Sequence, residues 1–202
     1  MASLEQAAAE AREQDGCLPP AAFRRLFFRE LDLSDLEFRD TVFDRCTFAD
    51  CNLTRAAFYG CTFESCLFLR SPLAAAYWRD TRLAGTKADG ADLRRCRFKG
   101  CALEQCLLRY ANLTEAALER TALSDCDLSG AALASARLTR TVFCRVDLTG
   151  AELFRTSFKA TDLSTCTLDQ ISLSETCAEL KGARIDPSQA AVVARILGID
   201  VL

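Results

Sequence analysis

Twelve cysteines and no histidine stand in a chain of 202 residues. A thiol can attack an electrophile, ligate a soft metal or exchange disulfides, and each task needs particular neighbours. The absence of histidine excludes Ser-His-Asp and Cys-His catalysis together with His-ligated metals. No Cys-x-x-Cys pair occurs. The closest cysteines are five apart, as in Cys46 and Cys51, Cys61 and Cys66, and Cys96, Cys101 and Cys106. Metal binding or redox switching by these thiols therefore competes with a plainer reading, in which a repeating frame uses cysteine as a small buried residue.

That frame is explicit. Residues numbered with a final 3 or 8 from Phe23 to Leu173 give 31 positions, of which 11 are Phe and 18 are Leu; Trp78 and Ala88 complete the set. Composition cannot produce this, and the register never slips. Two residues earlier the side chain is small almost throughout, as at Thr41, Cys46, Cys51, Ala56, Cys61, Cys66, Ser71 and Ala76. Leu26, Leu31, Leu36 and Ile171 depart from this near the ends, and Val146 inside. Between the two lies Asp, Asn, Thr or Ala, as at Asn52, Asp92, Asn112 and Asp127.

A period of five matches neither an α-helix nor a flat strand. It fits a coiled chain with four five-residue sides, each turning one large and one small residue inward. Nearly eight coils of 20 would stack as parallel ladders into a rod roughly 37 Å long, with about 4.8 Å per coil. Positions 20 apart then form columns. One reads Leu26, Cys46, Cys66, Thr86, Cys106, Cys126, Val146, Cys166, and nine of the twelve cysteines become core residues. Cys17, Cys144 and Cys177 do not. Stacked thiols would run parallel rather than converge into disulfides. A sensor would expose fast-reacting thiols to an alkylating reagent, whereas core thiols would react only on unfolding.

The units Ala91-Asp92-Leu93, Ala111-Asn112-Leu113, Cys51-Asn52-Leu53 and Thr161-Asp162-Leu163 resemble those of the pentapeptide-repeat family, A-[DN]-[LF]-x-x, over about residues 21 to 175. The resemblance implies an all-β fold, a right-handed quadrilateral parallel β-helix. The domain reading is a leader over 1–20, the β-helix over 21–180, and a C-terminal helix and tail over 181–202. At Ser71-Pro72-Leu73-Ala74-Ala75-Ala76-Tyr77-Trp78, proline cannot donate to a ladder. Ala88 is undersized ten residues later. These mark either a looser coil or a bulge that contacts a partner, with Tyr77, Arg79 and Asp80 exposed. Outward apolar residues Phe27, Leu67, Leu69, Leu107 and Tyr110 form a stripe that would dock the leader or a partner.

Both ends carry caps. Ser3-Leu4-Glu5-Gln6 reads as a capping box opening an Ala-rich helix, ended by Asp15-Gly16 and Pro19-Pro20. Asp186-Pro187 opens a second helix over 188–197, which Gly198 stops; Ile199 to Leu202 reads as extended. The second helix has a broad apolar side. The segment Gln189 to Ile199 is similar to the C-terminal element of Qnr-type quinolone-resistance rods, and Leu180-Lys181-Gly182-Ala183-Arg184-Ile185-Asp186 also fits. The leader departs from that pattern. The resemblance implies a homodimer through Ala191, Val192, Val193, Ile196, Leu197 and Ile199. It also implies binding to type II topoisomerase, DNA gyrase or topoisomerase IV, with protection from quinolones.

The same resemblance implies partial DNA mimicry, with the rod in the enzyme's DNA-binding saddle, and the charge balance supports this only in part. With 25 Lys+Arg against 28 Asp+Glu the net charge is -3, so direct nucleic-acid binding is not expected. The outward residues of the four sides sum to about 0, -2, -2 and +4, the last collecting Arg97, Lys99, Arg137, Arg140 and Lys159. Candidate partner-contact residues are Tyr77, Arg79, Asp80, Leu67, Leu107 and Tyr110. No catalytic constellation, cofactor site or metal site is expected. The alternative is a scaffold or adaptor rod with a non-topoisomerase partner. No apolar run reaches the roughly 18 residues of a membrane span. The start MASLEQAAAEAREQDG lacks a signal peptide's basic head and apolar core, so a cytoplasmic location with reduced thiols is expected.

Overall fold

The structure, a computed structural model, describes residues 3–201; Met1 and Ala2 of the leader and Leu202 of the tail lie outside the described residues. The five-residue frame folds as a four-sided parallel β-helix with a register of twenty: Phe23 pairs with Phe43, Phe38 with Phe58, Trp78 with Phe98 and Leu103 with Leu123. The first side is a seven-stranded sheet built from Cys17–Leu18, Glu37–Arg39, Ala57–Tyr59, Tyr77–Arg79, Arg97–Lys99, Ala117–Glu119 and Arg137–Thr139. The second side has seven strands from Ala22–Arg24 to Val142–Cys144. The third has three, Phe27–Arg29, Thr47–Ala49 and Leu67–Leu69, and continues as single bridges from Leu67 through Lys87, Leu107, Asp127 and Asp147 to Thr167. The fourth is held by bridges alone, such as Asn112 with Asp92 and Ala132.

Phe and Leu centres fill the interior, and the aromatic columns stack along the axis. Ring centroids lie 4.8 Å apart for Phe43 and Phe63, 4.9 Å for Phe48 and Phe68 and 4.3 Å for Phe58 and Trp78. These spacings follow from the ladder spacing itself, so each ring meets its neighbour at van der Waals distance. Nearly every side then ends on a residue with positive φ: Arg25 at 53°, Asp50 at 56°, Arg145 at 51°. A left-handed turn costs a non-glycine residue roughly 1–2 kcal/mol. The rod accepts that cost at nearly every corner because the ladders on either side fix the backbone.

Corners come in two kinds. In a closed corner the centre's carbonyl accepts the N–H three residues on, as Leu53 from Ala56, Leu113 from Ala116 and Leu148 from Ala151. The Asp or Asn before the leucine accepts the N–H two residues on: Asn52 from Thr54 at 3.1 Å, Asn112 from Thr114 at 3.0 Å, Asp147 from Thr149 at 2.8 Å. This is the physical reason for the Asp/Asn-Leu pair in the motif. In an open corner that turn bond is absent, and the centre lies mid-strand with its carbonyl engaged by the ladder to the next coil. The small residue of the next coil then donates to it: Cys46 to Phe23 at 3.3 Å, Cys61 to Phe38 at 3.4 Å, Thr81 to Phe58 at 3.2 Å, Cys101 to Trp78 at 3.4 Å, Thr121 to Phe98 at 3.3 Å. All phenylalanine centres except Phe158 stand at open corners. Cysteine and threonine therefore mostly follow open corners, with Cys96, Thr156, Thr161 and Cys166 after closed ones, and alanine mostly follows closed ones.

The third sheet stops at Ala88, where that side changes from open to closed corners. The undersized centre leaves a cavity of about 30 Å³ among Ala88, Leu83, Leu103 and Leu108. At Pro72 the fourth-side ladder loses its bridges to Asn52 and Asp92. A surface cleft of about 230 Å³ opens there beside Arg70, Asp89 and Asp92. The register on the first side runs through unshifted, Tyr77 pairing with both Ala57 and Arg97, so the proline produces a gap in one ladder and no bulge.

The leader forms helix α1, Leu4–Glu13, capped by Ser3, whose hydroxyl accepts the Gln6 N–H at 3.1 Å. The Gln6 side chain turns to Glu10 instead of closing the capping box. Leu4, Ala8 and Ala11 are buried over the end of the first coil, and Arg12 donates to the Asp32 and Ser34 carbonyls at 3.0 and 3.1 Å. The leader thus lies across the end and leaves the outward stripe undocked. At the other end, helix α2 spans Pro187–Ile196 with an Asp186–Gln189 capping box. After Gly198, residues 199–201 have no regular structure.

Candidate functional site

The centres point inward on every side, so the surface of the rod is set by the residues that flank them. Its charges are arranged mostly in pairs along the stacking direction. Arg55 meets Asp35 at 2.6 Å, Arg70 meets Asp50 at 2.7 Å, Arg145 meets Asp125 at 2.6 Å and Arg109 meets Asp89 at 2.5 Å, each pair twenty residues apart. The arginine hydrogen bonds hold Asp35, Asp50, Asp89 and Asp125 below the usual carboxylate range. As exposed pairs they shape the surface more than they stabilise it.

The candidate contact residues fall into two groups on opposite sides. Arg79 and Asp80 are exposed on the first side and ion-paired at 3.3 Å. Tyr77, expected to be exposed, is half-buried edge-on against Tyr59, with ring centroids 5.6 Å apart. Arg39 lies 5.4 Å from the centre of the Tyr59 ring. Leu67, Leu107 and Tyr110 belong to the third side. Leu67 and Leu107 are half-buried, and exposed Lys87 stands between them in the ladder, so the apolar stripe is interrupted. Tyr110 is 75% exposed and lies along the rod over Gly130, where an added Cβ would come within 2.5 Å of the ring. Gly130 is the residue that makes room for it.

The thiols are internal. All nine frame cysteines are buried and unbridged; Cys17, Cys144 and Cys177 are half-buried. Burial pushes the Cys61 and Cys101 thiols up to about 11 and those of Cys66 and Cys96 up to about 12. Such thiols are protonated donors rather than nucleophiles. Among the described residues no group of cysteines and carboxylates is placed to hold a metal ion. Trp78 Nε1 is the one buried side-chain N or O atom without a hydrogen-bond partner among the described residues. No helix among them is long and apolar enough to cross a membrane.

The C-terminal end joins a cap to an uncovered apolar surface. Gln189 is 5% exposed; its Nε2 donates to the Leu163 carbonyl at 2.8 Å and to that of Cys166, while its Oε1 accepts the Asp186 N–H at 2.8 Å. Glu179 is 3% exposed and accepts from the N–H groups of Arg155 and Ser174 and from the Ser174 hydroxyl at 2.8 Å. Burial would raise its pKa, but those hydrogen bonds outweigh it and hold the carboxyl low. The sequence pattern gave no notice of Glu179. Gln189 had a signal in the D-x-x-Q spacing from Asp186. Of the candidate dimerisation residues, Ala191, Val192, Val193 and Ile196 are half-buried, while Leu197 and Ile199 are 49% and 54% exposed. At the opposite end Leu26 and Phe27 are exposed beside a groove of about 940 Å³ that α1 leaves open.

Family models match three stretches: a pentapeptide repeat region over residues 56–133, pentapeptide repeats in 8 copies over 126–164, and the SV2A/B/C luminal domain over 20–88. No curated protein matches the chain. Similar solved structures include a trypsin-treated variant of QnrB1, a plasmid-mediated fluoroquinolone resistance protein, at 19% identity over 91% of this chain and 100% of that one, TM-score 0.49. HetL, a pentapeptide repeat protein involved in heterocyst differentiation regulation from the cyanobacterium Nostoc, is 18% identical over 92% and 98%, TM-score 0.33. A pentapeptide repeat protein from the Arabidopsis thaliana thylakoid lumen is 17% identical over 88% and 91%, TM-score 0.24. Likeness at this level speaks to none of their functions. The frame of five is written in the residues, repeated by every ladder and matched by both repeat models from 56 to 164, and the chain belongs to the pentapeptide-repeat family.

Proposed function

We propose that this rod is a non-enzymatic binding protein which dimerises through α2 and engages a type II topoisomerase, DNA gyrase or topoisomerase IV, protecting it from quinolone-type poisons. The observation that carries the reading is the apolar surface at the C-terminal end. Gln189 and Glu179 already satisfy the backbone groups there, yet Leu197, Ile199 and Val201 remain exposed beside half-buried Val192 and Val193. A cap alone does not need that surface, and a second copy would cover it. Its sequence is similar to the Qnr-type C-terminal element. The third and fourth sides, each about -2, are the ones suited to a DNA-like role. With so modest a charge, shape and specific contacts carry most of the recognition.

The test is gyrase supercoiling with the purified protein titrated in, with and without ciprofloxacin. Rescue in the drug, or inhibition without it, supports the reading; no effect of a folded dimer at tens of micromolar rejects it. The dimer is tested by Leu197→Asp with Ile199→Asp, which leave Gln189 in place. Light scattering should then report monomers, and an unchanged dimer would move the seam elsewhere. A scaffold rod with another protein partner is the second reading, favoured by the first side, whose charge of about +4 does not suit a DNA mimic.

A further inference from the structure

The first side breaks the charge pairing seen elsewhere. Over its C-terminal half, Arg97, Arg137, Arg140 and Lys159 are exposed, and none is ion-paired among the described residues. Glu119 is the lone carboxylate of that stretch and is shared by Lys99 at 3.8 Å and Arg120 at 3.5 Å. The residues between the cations are short: Gly100, Ala117, Thr139, Ser157 and Ala160. Six cations and one carboxylate thus stand on a regular parallel sheet, in a chain of net charge -3. Arg97 and Arg137 share one column two coils apart, about 10 Å at ladder spacing, and the patch runs about 15 Å along the axis. Like charges held this way repel in the free protein, and an anionic partner relieves the repulsion.

We propose that this half of the first side is a docking surface for an acidic polypeptide segment of a partner protein, laid along the rod axis. A segment in the polyproline II conformation brings every third residue back to one face about 9 Å on, so its carboxylates reach Arg97 and Arg137 in turn. Arginine forks pair well with carboxylates. A nucleic acid fits less well. Non-specific single-strand sites alternate cations with aromatic platforms for bases, whereas Tyr59 and Tyr77 pack on each other outside the basic stretch. The negative whole-chain charge also opposes the approach of a dense polyanion. This surface is independent of the topoisomerase reading, which uses the two acidic sides.

The probe is a fluorescein-labelled glutamate-rich peptide, followed by anisotropy at low ionic strength. Binding should weaken with added salt. It should weaken about tenfold or more in Arg97→Glu/Arg137→Glu/Arg140→Glu. Circular dichroism should show that variant folded, because all three side chains are exposed. Arg24→Glu/Arg25→Glu, reversing two cations on the first coil's second side, should bind as the parent does. Absence of peptide binding, equal binding by the triple variant or an equal loss in the control overturns the proposal. So does tighter binding of labelled single-stranded or duplex DNA through the same three arginines.

Discussion

The second and fourth sides of this rod share the same five-residue frame and solve the same corner differently. On the second side, aromatic or leucine centres stand at open corners as far as Phe143, and Cys46, Cys66 and Cys106 reach up to carbonyls of the coil below. On the fourth, leucine centres close their own turns from Leu53 onward, and the column that follows those turns is mostly alanine: Ala56, Ala76, Cys96, Ala116, Ala136, Thr156. A sulfhydryl or hydroxyl on one side supplies a second donor to a ladder carbonyl where the other side has a turn hydrogen bond. Six of the nine frame cysteines, Cys46, Cys61, Cys66, Cys101, Cys106 and Cys126, donate to open-corner carbonyls in this way.

The largest test of the comparison is what the two kinds of corner have in common. Leu113→Asp puts a carboxylate into a closed-corner core and should cost about 4 kcal/mol or more, or prevent folding. A soluble variant of parental stability in urea denaturation would refute the inward frame.

Alkaline pH tests the buried thiols next. The folded-state thiols of Cys61, Cys66, Cys96 and Cys101 lie at about 11 to 12, above the value of 9.0 for an unperturbed thiol. Their contribution is complete below the unfolded value and is lost as pH rises through the folded values. Stability should therefore fall from about pH 9 upward. Cys61→Thr/Cys101→Thr keeps the donors and matches Thr81 between them. It should flatten that fall, and an identical alkaline limb would count against the assignment.

A smaller effect isolates one carbonyl. Thr81→Val removes the hydroxyl's bond to the Phe58 carbonyl, which keeps its ladder partner, and should cost about 1 kcal/mol. A loss of about 3 kcal/mol or more in urea denaturation would mean that the ladder does not satisfy that carbonyl. The smallest effect is at the switch between kinds. Ala88→Val fills much of the cavity and should raise stability by up to about 0.7 kcal/mol. A loss in the urea midpoint would show that the coil is already tightly packed there.

The frame, the coil length, the burial of nine thiols and both terminal helices were legible because each follows from periodicity or from a cap. Corner type was less so. Phenylalanine marks an open corner, but Leu103 and Leu113 look alike in sequence and differ in their turns. The left-handed corner residues gave little signal either, since arginine and aspartate occupy them more often than glycine. The contact candidates were chosen by composition, which could not show that Lys87 interrupts the stripe or that Tyr77 leans on Tyr59. Glu179 was hidden because a buried carboxylate that terminates a ladder looks like any polar loop residue until the ladder's end is located.

The register of twenty makes chain length an angular coordinate. Deleting five residues between Arg97 and Arg137 would leave every later centre apolar and the interior intact, yet turn all that follows by a quarter of a revolution. Arg137 and Lys159 would then no longer share a side with Arg97. Deleting twenty would lower the rod by one storey, about 4.8 Å, and return the sides to alignment. Tolerance of an insertion by the surface is thus decided by the remainder after division by twenty, while the core asks only for a multiple of five.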